Sequence, residues 1–128
     1  MSTASEVSRG IPVRHRGIRV AYVFAGSTGA WMAHLFFASS FVQYTCDTPG
    51  TRWGQHVATL VCAAIAASAG WVGYRFYREG QPDTEDAGTR RGANHFIGLL
   101  GMIFAAVNLL LILAEGSYVV LIHPACHV

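Results

Sequence analysis

Lysine is absent from these 128 residues, and charge of either sign is scarce, with nine arginines, seven Asp or Glu and 12% charged residues in all. An ordinary globular domain carries about 25% charged residues. The shortage is concentrated: residues 20–45, 57–74 and 95–114 contain no Asp, Glu, Lys or Arg. A soluble helical bundle needs polar faces to meet water, and these runs have none. Also missing are a GxSxG elbow, a phosphate-binding loop, an HExxH pair and any paired carboxylates outside residues 79–93. Their absence removes the usual signatures of hydrolase, nucleotide and zinc-protease chemistry.

What remains is three apolar runs, each near the roughly 17 to 25 residues a helix needs to span hydrocarbon. The spacing predicts an all-α membrane protein with three transmembrane helices, at about residues 18–45, 55–78 and 94–122. Residues 1–17 read as a polar arm, and residues 18–126 as a single three-helix domain. Arg14, Arg16 and Arg19 ahead of the first run and Ala38, Ser39 and Ser40 within it resemble a signal peptide. A signal core is only about 7 to 15 residues, so an uncleaved helix is expected.

The arginines set an expected orientation. Arg9, Arg14, Arg16 and Arg19 precede the first run, Arg75, Arg78, Arg90 and Arg91 flank the connection between the second and third, and Arg52 alone lies between the first and second. Positive charge is retained on the cytoplasmic side, which places the N-terminus inside and the C-terminus on the outer, periplasmic side. The pI near 8.6 follows from this anchoring and gives no reason to expect nucleic acid as a partner. The first connection, CDTPGTRWG at residues 46–54, contains a Pro-Gly turn and predicts a tight helical hairpin. Small residues at helical spacing, Thr59, Ala63, Ala66, Gly70 and Gly73 on the second helix and Gly98, Gly101 and Ala105 on the third, allow close helix approach.

Of the three cysteines, Cys62 lies inside the second run and reads as a small apolar residue. Cys46 and Cys126 both fall at the expected outer face, where disulfides persist, and a Cys46–Cys126 disulfide joining the first and third helices is expected. The rival is a copper or zinc site with His56, His123 and His127, which no CxxC pair accompanies. Counting down from the two cysteines, His34 lies twelve residues before Cys46 and Glu115 eleven before Cys126. At about 1.5 Å per residue the two are level within a turn. An ionisable group in a bilayer is costly and normally has a partner. His34 and Glu115 are therefore expected to form an intramembrane polar pair, with Asn108 two turns from Glu115 on the same face. A register-fixing contact, proton handling or quinone contact, and contact with another subunit are the roles open to it.

Haem would need two axial ligands facing each other at one depth, and His34 is the only histidine well inside a span. Trp31 and His34 as W-x-x-H, Tyr44 and Cys46 at the outer end of the first helix, His56 opening the second, Tyr74, Arg75 and Arg78 at its exit, and Glu115, Gly116, Pro124 and Cys126 along the third together resemble a family of small three-helix proteins. That family is associated with bacterial haem-copper cytochrome c oxidases of the caa3 type, and the resemblance covers residues 20–126. It implies an accessory, non-enzymatic subunit without cofactor or metal of its own, in the bacterial cytoplasmic membrane, bound to the larger membrane subunits of a respiratory complex. Two alternatives stay open: an oxidase assembly factor handling copper at the outer face, and a haem- or quinone-binding membrane anchor.

Overall fold

The computed structural model describes residues 13–42, 51–80 and 89–121, and apart from a turn at Gly80 all of them are helical. Helix α1 (Val13–Ala21), a π-helical segment (Tyr22–Gly26) and α2 (Ser27–Val42) run on without a break and form the first rod; α3 (Thr51–Glu79) and α4 (Thr89–Leu121) form the second and third. Three helical stretches, His15–Phe41, Trp53–Glu79 and Gly92–Tyr118, are long and apolar enough to cross a membrane. With 29 and 33 residues, α3 and α4 rise about 43 and 50 Å. Both exceed the roughly 30 Å hydrocarbon core.

The helices therefore run past the apolar stretches that announce them. Of the polar arm expected over residues 1–17, the first part lies outside the described residues, and helix α1 already takes in residues 13–17. The reason is that hydropathy marks where charge begins, whereas the backbone ladder continues through any residues that favour helix, and arginine is among the better helix formers. The same extension carries α3 back to Thr51 and α4 back to Thr89.

Helices α3 and α4 pack antiparallel with their backbones nearly touching. A methyl group at Gly98 would strike the Tyr77 backbone, with Tyr77 Cα at 2.7 Å and the Gly73 carbonyl oxygen at 2.9 Å; one at Gly73 would lie 3.2 Å from the Met102 nitrogen. One at Gly70 would meet Ala105 Cβ at 3.3 Å, and one at Gly116 would meet Thr59 Cγ2 at 2.6 Å. Each step down α3 is matched by a step up α4. Close van der Waals packing between small residues of this kind is what holds helices together where, as in lipid, no hydrophobic force drives them.

The first rod lies across the α3–α4 pair. Its inward face carries Val23, Ser27, Ala30 and His34, all buried. In the π segment the i→i−4 ladder is interrupted, and hydroxyls take the carbonyls there: Ser27 Oγ donates to Val23 O at 2.9 Å and Thr28 Oγ1 to Phe24 O at 2.9 Å. Gly26 leaves room for the Tyr22 ring, which would sit 3.2 Å from a Cβ there. Tyr22 Oη in turn shares a 2.7 Å hydrogen bond with Ser68 Oγ of α3.

The buried residues are small, chiefly Ala30, Cys62, Ala66, Ala69 and Ala105, with Ile112 the largest fully enclosed side chain. Large apolar side chains instead point outward, among them Phe36, Leu60, Trp71 and Leu110, each exposed by 64% or more. A water-soluble chain rarely displays such a continuous apolar surface.

Candidate functional site: a buried histidine and its partners

His34 sits on the inward face of α2, one turn beyond Ala30, and is almost completely enclosed. Its two ring nitrogens reach two different helices. Nδ1 lies 3.0 Å from Glu115 Oε2 on α4, and Nε2 lies 2.9 Å from Thr59 Oγ1 on α3. The second carboxylate oxygen, Glu115 Oε1, accepts a 3.2 Å hydrogen bond from Trp31 Nε1, one turn before His34 on α2. The Thr59 hydroxyl donates to the Gln55 carbonyl at 2.9 Å. One histidine thus ties all three rods together at one level.

The donors and acceptors constrain the protons. The hydroxyl of Thr59 has a single hydrogen and lies within reach of both Gln55 O and His34 Nε2. With that hydrogen on Gln55 O, the Thr59 oxygen accepts from Nε2; with it on Nε2, the ring donates from Nδ1 to Glu115 Oε2. Trp31 donates to Glu115 Oε1 in both cases.

Beside the pair is a cavity of about 20 Å³ lined by His34, Phe37, Gln55, Ala58, Thr59 and Glu115, among others. That is room for about one water. The Glu115 side chain forms the open rim, 29% exposed against 4% for His34.

Asn108 is not part of this network. Its Nδ2 donates to Phe104 O at 3.0 Å and lies 3.4 Å from Ser27 Oγ, two turns from the histidine. The offset is the same in both layers, 81 residues from Ser27 to Asn108 and from His34 to Glu115. Two polar layers thus share one parallel register between the first rod and α4. Between them lies an apolar layer of Ala30, Cys62, Ala66 and Ile112.

Cys62 is buried with its thiol free and packs as a small apolar residue. Cys46 and Cys126, with the disulfide expected between them, lie outside the described residues, as do His123 and His127. His56 is exposed, and among the described residues no group of three or more His, Cys, Asp or Glu is placed to hold a metal. Thr59 and Gln55 are the residues that sequence reasoning passed over as site members. Thr59 reads as one of a row of small residues, and its polar role was signalled only by Gln55 one turn earlier, just ahead of the charge-free run.

Comparison with protein-family models, with curated proteins and with solved structures finds no match to this chain.

Proposed function

We propose that the chain is an accessory, non-catalytic subunit of a haem-copper type respiratory complex. It resides in the bacterial cytoplasmic membrane with its N-terminus inside, and it stabilises or positions larger membrane subunits. The observation that carries this reading is the state of His34. Among the described residues it is the one histidine deep in a span, and both its nitrogens are engaged by Glu115 and Thr59 of its own chain. A haem ligand needs a ring nitrogen free to coordinate. The histidine instead serves as interhelical glue, fixing the register of a thin bundle whose outer faces are apolar and open to neighbours. The arginine asymmetry supports the orientation, and the W-x-x-H and outer-end residues support the kind of complex.

Purification in mild detergent followed by identification of co-purifying chains tests the reading. Large oxidase-type subunits are expected, with the isolated chain lacking haem absorption. Recovery as a lone oligomer with no respiratory subunits overturns it.

A further inference from the structure

At the arginine-rich end of the bundle the three rods leave a second cavity, of about 170 Å³, lined by Arg16 and Arg19 of α1, Phe76 and Glu79 of α3, and Asn94 of α4. That is many times the space one water needs. We propose that this cavity binds a phosphodiester anion, of the kind carried by glycerophospholipid headgroups.

The charges lead to this ligand class. Arg19 Nη2 makes a single 3.3 Å ion pair with Glu79 Oε1, and its guanidinium carbon lies 4.6 Å above the Phe76 ring. Arg16 lines the same cavity and makes no hydrogen bond or ion pair to any other described residue. Among the described residues that line it, two guanidinium groups against one carboxylate leave one surplus positive charge. A phosphodiester carries one negative charge and matches it. Guanidinium groups favour phosphate oxygens because their planar donors fit them in pairs.

Asn94 adds an independent observation: its side-chain Oδ1 is buried and has no hydrogen-bond partner. Such an atom costs free energy unless an occupant satisfies it. A headgroup hydroxyl supplies a donor to Oδ1. Rotation of the amide by half a turn instead turns Nδ2 toward a phosphate oxygen. The depth also fits. Arg19 stands next to the first charge-free run, Asn94 next to the third, and Glu79 five residues beyond the second. This is the level at which a helix leaves hydrocarbon and meets lipid phosphates, and basic pockets between helices at that level suit anionic headgroups.

The test titrates the full-length chain in neutral detergent with short-chain phosphatidylglycerol in one arm and with soluble glycerophosphoglycerol in the other. Retention is read by native mass spectrometry and by intrinsic fluorescence. A saturable site is expected, weakened roughly tenfold or more in Arg16→Gln, as the loss of one charge-assisted hydrogen bond implies. Arg16→Gln is the primary variant because Arg16 holds no other described residue in place; Asn94→Leu is the second, with a smaller loss expected. Arg78→Gln, which removes a charge on α3 that bonds Tyr74 instead, should bind as the unaltered chain does. Saturation in the lipid arm identifies a headgroup as the source, and saturation in the soluble arm alone identifies a free diester. No saturation in either arm, equal binding by Arg16→Gln, or an equal loss in Arg78→Gln overturns the proposal.

Discussion

Two interfaces hold this bundle, and only one of them adds polar layers to its packing. Between α3 and α4 the contact is made by what is missing, with glycines at 73, 98 and 116 letting backbone or a short side chain fill the place of a Cβ. Between the first rod and that pair two polar layers, His34 with Glu115 and Ser27 with Asn108, are added to an apolar layer and to the Val23 side chain seated at Gly101. Both suit helices that are apolar enough to span a membrane, because neither depends on excluding water. They should fail differently. A glycine contact has little give where an added carbon meets backbone, as at Gly73 and Gly98, whereas a hydrogen-bonded layer tolerates any substitute that still offers a donor or acceptor in the right place.

The largest effect should come from Gly98→Ala. The new methyl meets Tyr77 backbone and the Gly73 carbonyl, and relief requires moving a helix, at a cost of about 3 kcal/mol or more. Gly29→Ala on α2 faces open space and serves as its control, with no loss expected. Unfolding by added sodium dodecyl sulfate in mixed micelles, followed by circular dichroism, measures both. Equal stability of the two variants would break the contrast between the interfaces.

Glu115→Leu comes next. It strands both His34 Nδ1 and Trp31 Nε1, the partners of the lost carboxylate, and an unsatisfied buried polar group costs about 1 to 3 kcal/mol. Glu115→Gln should cost less in the same assay, because the amide still accepts from one partner. Combining His34→Leu with Glu115→Leu should cost less than the sum of the single changes, by about 0.5 kcal/mol or more. Strict additivity would mean that the two side chains do not act together.

Gly116→Ala probes the point where the two interfaces meet. Thr59 rests its methyl against Gly116 and bonds His34 through its hydroxyl, so the added carbon should displace Thr59 and weaken the bond to Nε2. The expected loss is about 1 kcal/mol, and it should shrink when His34 is already Leu. A loss independent of His34 would confine the effect to packing.

Asn108→Leu should have the smallest effect, near 0.6 kcal/mol, the average measured for membrane hydrogen bonds. Ser27 keeps its 2.9 Å bond to Val23 O whether or not Asn108 is present, so little is stranded. A loss as large as that of Glu115→Leu would erase the distinction between the two polar layers.

How far the sequence could be read differs between these regions. The three rods follow from charge-free runs, because burying even one unpaired charge in lipid is costly and a chain that spans must omit charge over a fixed length. The glycine and alanine rows were visible as rows. The depth count for His34 and Glu115 started from Cys46 and Cys126, which lie outside the described residues, and their 3.0 Å contact is a feature of the structure. The helix ends were not legible: VRHRG at 13–17 is polar, yet it lies within α1, because hydropathy carries no information about where backbone hydrogen bonds stop. Nor was the π segment at Tyr22–Gly26, which depends on a ring lying over Gly26 and on hydroxyls accepted by local carbonyls.

By itself, then, the sequence determined the number of apolar rods, their approximate spans and which ionisable groups lie deep within them. All of these depend on composition along one dimension. Only the tertiary structure decided that His34 takes Thr59 as well as Glu115, that Asn108 turns to Ser27 instead, and that Arg16, Arg19, Glu79 and Asn94 line a common cavity. Those choices depend on the rotation of each helix about its own axis. That rotation is fixed where backbones meet at Gly73 and Gly98, by contacts between residues far apart in the chain.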